Sequence, residues 1–551
     1  PLASLIELFL FAAGAKVEIL ESEYGIFRQD ILDPNSPLYR FHPNLVYIAV
    51  GRHDLRTLPS LGEDAQGARE WMDTEFSQWA GLWEVLQDRL GCQIIQNNFD
   101  PPPWRVLGNY ETTHPSSPSR LIQDLNRKLA DEAPAHVLVH DVGELAAAAG
   151  RWAWGDTRYY FEAKLPCAPE LLVDYAHSVA SLVLSQLGLG KKCLVTDLDN
   201  TLWGGVIGDD GLGGIRLGHG SGEGEAYVEF QRHLKGLQSR GVILAVCSKN
   251  SEELAREPFE KHPEMALRLE DISCFVANWE DKAANLRAIA RTLDIGLNSL
   301  VFVDDNPMER ALVRRLAPEV AVPEIPEDPA GFIRALEKHR YFQVTSLAGE
   351  DFRRTDFYRA NAERREAESA AGSLDEFLGS LRMTAKVAPI DSTNLERCVQ
   401  LIQRSNQFNL TTRRRASGEV LALVEDSRWV TVAVSLADRF GDHGLISVVL
   451  ARLEGEVFRI DTWLMSCRVL KRGVERFLLN HLVSEAGKRG AEKLIGEYIP
   501  TAKNGLVRDH YSDLGFTRIG EEQDGSSRWE LDITGGWTPL PTHIEEMQAN
   551  G

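Results

Sequence analysis

The chain is short of several things, and each shortage excludes a class. It has 7 cysteines in 551 residues, with no CxxC pair among Cys92, Cys167, Cys193, Cys247, Cys274, Cys398 and Cys467. An odd, scattered set argues against a disulfide framework or a thiolate zinc site, and for a reducing, cytoplasmic setting. No run reaches the roughly 18 uninterrupted apolar residues that a membrane span needs. The apolar start Leu2–Ala15 is broken by Glu7 and followed by Lys16, without the basic opening or small-residue cleavage site of a secretory signal. It reads as an amphipathic helix. There is no internal repeat and no low-complexity tract. Positive charge is in the minority: 60 Lys+Arg against 81 Asp+Glu leave a formal charge of −21. Such a chain repels nucleic acid and anionic membranes, so neither is expected as a partner. An anionic ligand has to meet a local basic patch or a metal ion. Pro1 opens the chain without a Met, as expected of a piece excised from a longer protein.

What remains is a soluble globular composition, 43% hydrophobic and 26% charged, long enough for three or four domains. Residues 1–190 alternate helices with the apolar runs KVEIL (16–20), NLVYIAV (44–50), QIIQ (93–96) and HVLVH (136–140). Helical patterns at 63–90 and 118–133 lie between them. This is the alternation of a doubly wound α/β sheet, with a first strand expected upstream of Pro1. Residues 191–345 form a second α/β unit, with strands at 192–197, 242–248, 273–277 and 299–305. The proline-rich stretch 321–332 closes it as a loop. Residues 346–372 are expected to form a bridging segment built on a charged helix at 350–369. Residues 373–551 change character. Alternating strands at 429–440, 445–453 and 457–465, with helices at 393–403, 417–425 and 473–488, predict an α+β domain whose tail after Trp537 is loose.

The strongest chemical signal is CLVTDLDNTLWGGVIGDDG at 193–211. Carboxylates at i and i+2 past a strand end, Asp197 and Asp199, face the crevice where α/β sheets bind ligands. One can attack phosphorus as a nucleophile, and the other can protonate the leaving group and then activate water. Asn200 and Thr201 extend the turn. Ser248 ends the next strand, with Lys249 beside it as a competing phosphate ligand. Lys282 opens the helix KAANLRAIARTL and can supply a fixed positive charge. Asp304 and Asp305 end the strand SLVFV and complete an oxygen-rich set suited to Mg²⁺. A glycine-rich stretch (204–224) occupies the place between the first two motifs, leaving the site open to a large substrate.

The order DxDxT, Ser, Lys, DD resembles the haloacid dehalogenase (HAD) superfamily of phosphotransferases. DLDNTLWGGVIGDDG, CSKN (247–250) and VFVDDNPMER (301–310) resemble its FkbH-like branch. So do YGIFRQDILDPNSPLY (24–39), SNQFNLTTRR (405–414), DRFGDHGLIS (438–447) and DTWLMSCRVLKRGVE (461–475), which extends the likeness over nearly the whole chain. The resemblance implies a glyceryl transferase/phosphatase of polyketide pathways. It would draw on 1,3-bisphosphoglycerate, remove phosphate, and load a glyceryl unit on an acyl carrier protein as a thioester. Asp197 would be the phosphorylated nucleophile and Asp199 the general acid/base. Mg²⁺ would sit on Asp197, Asp304 and the backbone carbonyl of Asp199, with Asp305 beside it.

A thioester route needs a thiolate. Cys467 lies between an apolar strand and a helix start, beside Arg468, a setting that depresses a thiol pKa. The following RVLKRG resembles the acetyltransferase (GNAT) pyrophosphate loop, with Lys471 in place of its first glycine. His443, in GDHG between two expected strands, is the candidate partner of Cys467. Arg413, Arg414 and Arg415, with Arg468, Lys471, Arg472 and Lys503, give this domain an expected basic face for an acidic carrier or an anionic donor. The first domain resembles the SGNH-hydrolase fold, but Asp156-Thr157-Arg158-Tyr159 stands where such a hydrolase has D-x-x-H, so hydrolysis there is not expected. The expected architecture is therefore α/β: a HAD-like Rossmannoid domain flanked by an SGNH-hydrolase-like α/β domain and a GNAT-like α+β domain. Two other readings compete with the transferase. One is a phosphatase whose C-terminal domain only binds a carrier partner, and the other is a non-catalytic carrier-binding scaffold.

Overall fold

A computed structural model describes residues 2–347, 352, 360, 364, 367, 371–405, 407–415, 417–466, 469–501 and 503–547. The charged helix expected at 350–369 lies for the most part outside the described residues, as do Cys467 and Arg468. The chain divides into two compact units, Pro1–Gln186 and Leu187–Gly551.

In the first unit, β1 (Leu45–Ile48), β2 (Gln93–Asn97) and β3 (Val137–His140) form a parallel sheet in the order β1-β2-β3. The helix Ala65–Leu90 starts where the Asp64 carboxylate accepts from the Gln66 and Gly67 amides. It lays Trp79, Trp83 and Leu86 on Ile94 and Phe99 to make the core. The run Lys16–Leu20, expected as a strand, is irregular and leaves Ile19 and Leu20 exposed. An apolar run becomes a strand only beside an edge it can pair with, which periodicity cannot report. Asp156 caps the helix Thr157–Ala163 by accepting from the Arg158 amide, a structural task.

In the second unit, β4 (Cys193–Thr196), β5 (Ile243–Ser248), β6 (Cys274–Ala277) and β7 (Leu300–Val303) form a parallel sheet in the order β6-β5-β4-β7. Parallel strands are covered on both faces, so they read as unbroken apolar runs. Leu194 and Val246 face one core, and Val195, Ala245 and Cys247 face the other. The chain winds from β4 outward to β6 and then crosses back to β7 on the other side of β4. The direction of winding reverses between β4 and β7, which opens a crevice at their carboxyl ends.

The remaining strands form a mixed sheet in the order β13-β14-β12-β11-β10-β9-β8-β15. They are β8 (Met383–Ala388), β9 (Trp429–Asp438), β10 (Gly441–Glu454), β11 (Val457–Met465), β12 (Lys493–Tyr498), β13 (Thr517–Glu521), β14 (Ser527–Asp532) and β15 (Ile544–Glu546). Val474–Lys488 packs on one face of this sheet, and Leu395–Arg404 and Ser417–Glu425 on the other. The α+β expectation holds, with two corrections. The described part of the tail after Trp537 is not loose, because Ile544–Glu546 pairs in parallel with Met383–Ala385. His443 sits within β10 rather than in a loop, because the β9–β10 hairpin turns at Arg439 and Phe440. β11 and β12 pair in parallel over only Val457–Arg459 and then diverge.

Candidate active site

The crevice between β4 and β7 collects the residues that the motifs single out. Asp197 follows β4, and its amide donates to Val303 O across to β7 (2.9 Å). Asn200 takes a left-handed backbone (φ 54), a conformation that Asn tolerates better than most residues. The turn it makes is held by its Oδ1, which accepts from the Gly205 amide (2.9 Å). Thr201 is fully buried, and its Oγ1 accepts from the Asp305 amide (3.2 Å), tying the β4 turn to the β7 turn. Lys282 is the first residue of the helix Lys282–Leu293, capped by Asp281, and this places its ammonium back over the strand ends. Its Nζ lies 2.7 Å from Asp197 Oδ2 and also bonds Asp304 Oδ2.

The charges do not balance. Carboxylate oxygens of Asp197, Asp304 and Asp305 all lie within 4.8 Å of one another, with one ammonium among them. Asp197 Oδ1 is buried and accepts no hydrogen bond from the described residues. Burial, and then the negative charge of Asp197, push the Asp304 and Asp305 carboxyls above the usual carboxylate range. Burial opposes the Lys282 charge, but Asp197 and Asp304 more than offset it and hold the ammonium protonated. A divalent cation fits such a site, since it takes oxygen ligands and removes the repulsion between them.

Asp199 stands apart from this cluster. Its Oδ1 accepts from Trp203 Nε1 and the Ile207 amide, each at 3.0 Å, and its Oδ2 from Asn250 Nδ2 (3.2 Å). Its carboxylate is therefore not among the oxygens grouped at Asp197, Asp304 and Asp305, and the expectation that Asp199 serves a metal is left to its backbone carbonyl. Burial raises its pKa, against these donors. Ser248 is buried at the end of β5, beside β4. Lys249 is engaged elsewhere, its Nζ 2.6 Å from Glu309 Oε1, so it clamps the β5 and β7 turns together. Sequence reasoning passed over three residues here. Asn250 and Trp203 hold Asp199, and Arg310 donates through Nη1 to the carbonyls of Asp304 (2.8 Å) and Asp305 (2.7 Å). The only signal was their place inside the quoted motifs.

The second set of candidates behaves differently. Arg413 pairs with Asp461 of β11 and Glu497 of β12, each at 2.6 Å. Arg415 pairs with Asp461 (2.7 Å), and Arg414 donates to the Ile402 carbonyl. The expected basic face is thus largely spent inside the protein. The segment carrying it fills the opening where β11 and β12 diverge. Leu410 N donates to Trp463 O (3.1 Å), Met465 N to Phe408 O (3.0 Å), and Ile499 N to Leu410 O (2.8 Å). Its Asn409 and Leu410 are fully buried. Lys471 holds a left-handed backbone (φ 62), a conformation glycine would adopt freely, at the position where the resemblance expects glycine. His443 Nε2 lies 2.9 Å from Asp438 Oδ2 and 2.9 Å from Arg472 Nη1. No helix among the described residues is long and apolar enough to cross a membrane.

Comparisons with known proteins bear on the first two regions. A model of the FkbH N-terminal domain matches residues 6–184. No curated protein matches the chain. Among solved structures, the N-terminal part of the protein BF1531 from Bacteroides fragilis, which contains a phosphatase domain and is complexed with Mg, is 36% identical. That alignment covers 63% of this chain and 91% of that one, with a TM-score of 0.58. The GNAT domain of S. lividans PAT aligns at 20% identity over 26% of this chain and 89% of its own, with a TM-score of 0.22. Spermidine N-acetyltransferase from Vibrio cholerae aligns at 13% identity over 27% of this chain and 95% of its own, also with a TM-score of 0.22. Likenesses this weak establish no relationship.

Proposed function

The chain belongs to the FkbH-like family of HAD-type proteins, and on that premise we propose that it transfers a glyceryl unit from 1,3-bisphosphoglycerate to an acyl carrier protein and removes phosphate on the way. The observation that carries the phosphatase half is the crevice at β4 and β7. Three carboxylates converge there around one ammonium, and the nucleophile candidate has a buried, unpartnered oxygen. Asp197 attacks phosphorus, the P–O bond to the glyceryl oxygen breaks, and Asp199 gives that oxygen a proton. Asp199 then takes a proton from the water that hydrolyses the aspartyl phosphate. Asp197, Asp304 and Asp305 would hold Mg²⁺, which neutralises phosphate charge when bound. Lys282 supplies fixed positive charge, Ser248 and Asn200 offer polar groups to the phosphoryl oxygens, and Thr201 holds the two turns in register through Asp305.

The acyl-transfer half rests on Cys467. An acyl phosphate is an activated donor, so a thiolate needs no further energy source. The carrier's phosphopantetheine thiol would receive the glyceryl group. The first unit, an SGNH-like fold in this reading, would dock or orient a partner.

Intact-protein mass spectrometry tests the proposal, after the enzyme and a carrier protein are incubated with 1,3-bisphosphoglycerate and Mg²⁺. The expected result is a glyceryl adduct on the enzyme and on the carrier, with phosphate release stopped by a chelator. Asp197→Asn should abolish phosphate release, since an amide is a poor nucleophile. Cys467→Ala should abolish both adducts. If Cys467→Ala loads the carrier at the wild-type rate, the covalent relay is wrong, and direct attack by the carrier thiol replaces it.

A further inference from the structure

We infer that Trp203 and Asn250 are positioning residues for Asp199, and that they leave Oδ2 as the one oxygen through which this carboxyl trades protons with the substrate and then with water. This rests on the phosphatase half of the reading above.

A carboxylate has two oxygens and about four lone-pair positions. On Asp199 the two oxygens are used unequally. Oδ1 accepts from Trp203 Nε1 and from the Ile207 amide, each at 3.0 Å, so both of its positions are taken. Among the described residues Oδ2 accepts only from Asn250 Nδ2, at 3.2 Å, and keeps one position. A proton carried by this carboxyl therefore sits on Oδ2. The donors are themselves fixed. Trp203 is fully buried with its ring edge-on to Phe259, centroids 6.1 Å apart, and an indole nitrogen can only donate. Asn250 is buried too. Its Oδ1 accepts from the Ser251 amide (2.9 Å), which turns the NH₂ end of the side chain toward Asp199.

The same bonds could do no more than shape a turn. Two observations favour a role in the chemistry. First, Asp199 is two residues from Asp197, yet its three donors keep the side chain out of the Asp197, Asp304 and Asp305 group. A carboxylate drawn into that group would serve as a ligand instead of an acid. Second, the donors come from two strand ends. Trp203 and Ile207 follow β4, and Asn250 follows β5 two residues after Ser248. Asp199 is thus held between two turns, and it stays only partly buried while the residues that hold it are buried.

The proton has a defined route. Asp197 forms a bond to phosphorus and the bond from phosphorus to the ester oxygen breaks. That oxygen keeps the electron pair and takes the proton from Asp199 Oδ2. Water then bonds the phosphorus of the aspartyl phosphate and gives a proton to the same Oδ2. The bond to Asp197 breaks, with its electron pair on Asp197. One oxygen serves both steps because the other is occupied throughout.

An alkoxide leaving group needs that proton, whereas p-nitrophenolate leaves well without it. Trp203→Phe and Asn250→Ala each delete one donor and free the carboxylate to turn. With Mg²⁺ present, single-turnover cleavage of glycerol 3-phosphate should fall by about 10-fold or more in both variants, a share of what acid–base catalysis commonly supplies. The p-nitrophenol burst from p-nitrophenyl phosphate should stay within about 2-fold of the wild type, followed by slow steady turnover while the aspartyl phosphate waits for its base. Asp199→Asn should show the same split, enlarged. Urea unfolding with and without Mg²⁺ checks the fold and the cation site of each variant. Asn250→Ala, which leaves the hydrophobic core untouched, carries the test if Trp203→Phe does not fold. The wild type gives a reading that needs no variant: its single-turnover rate should depend little on the acidity of the leaving group. A steep dependence there overturns the inference. So does equal slowing with both esters in the folded variants, or no slowing with either, and these outcomes leave the phosphatase reading standing. A wild-type protein that releases no Asp197-dependent phosphate from either ester removes that reading and the inference with it.

Discussion

The crevice over β4 and β7 and the hairpin region of β9 to β11 both bury ionised side chains, but only in the first do the carboxylates outnumber the cations paired with them. At the crevice, three carboxylates face one ammonium, and Asp197 Oδ1 accepts from none of the described residues. At the hairpin, Asp438 accepts from His443, Arg364 and Arg472, and nearby Asp461 accepts from Arg413 and Arg415. A buried group left unsatisfied asks for a ligand, whereas a satisfied one holds its neighbours in place. The first site is built to bind and the second to orient.

Lys282→Ala gives the sharpest break in that comparison. It removes the one ammonium from between Asp197 and Asp304 and should cost about 3–5 kcal/mol of stability. Added Mg²⁺ should recover much of the loss, because a cation can replace the missing charge. Denaturant unfolding with and without Mg²⁺ measures both. A loss that Mg²⁺ does not touch means that the carboxylates do not form a cation site.

The C-terminal sheet should respond to acid where the crevice responds to metal. His510 is buried against Trp463 and Phe408, and burial lowers its pKa to about 3. The unfolded chain protonates a histidine near 6.5 while the folded one does not until about 3. Unfolded protein therefore binds more protons in that window, and stability falls as pH drops through it. The slope is about 1.4 kcal/mol per pH unit, or about 3 kcal/mol between pH 6.5 and 4.5. Against the wild type, His510→Phe should flatten the acid limb by that amount in urea unfolding followed across pH. An identical limb in both proteins would place the titrating group elsewhere.

Arg413→Ala should have the smallest effect. Its guanidinium joins Asp461 to Glu497 across the opening between β11 and β12 but is about a third exposed, so solvent screens the pair. A loss of about 1 kcal/mol is expected, with carrier affinity unchanged. A weakened affinity for the carrier at unchanged stability would restore Arg413 to the docking face assigned to it from its charge.

The legible parts were those whose chemistry follows from local order. β4, β5 and β7 are short apolar runs that end in or lead straight into a functional residue, Lys282 opens the helix that follows β6, and one βα repeat places these positions on the same edge. Asp197, Ser248, Lys282 and Asp304 could therefore be grouped by spacing alone. Lys249 could not be separated from Ser248, because its engagement with Glu309 joins turns 60 residues apart. The basic run at 413–415 was read as surface because charge runs usually are. Its partners Asp461 and Glu497 are about 50 and 80 residues further on. The strand Ile544–Glu546 was missed because a three-residue edge strand is defined by Met383–Ala385 rather than by its own pattern.

By itself, the sequence determined the strand-end carboxylates, the ammonium that accompanies them and the family they belong to, since these depend on residue type and spacing within single βα units. Only the tertiary structure decided which charges are neutralised and which are left over. It turned Asp199 toward Trp203 and Asn250 and away from the other three carboxylates, and it brought Arg364 and Arg472 onto Asp438 from either side of β9 and β10. Whether a buried charge is matched depends on groups distant in the chain, and no local pattern encodes that.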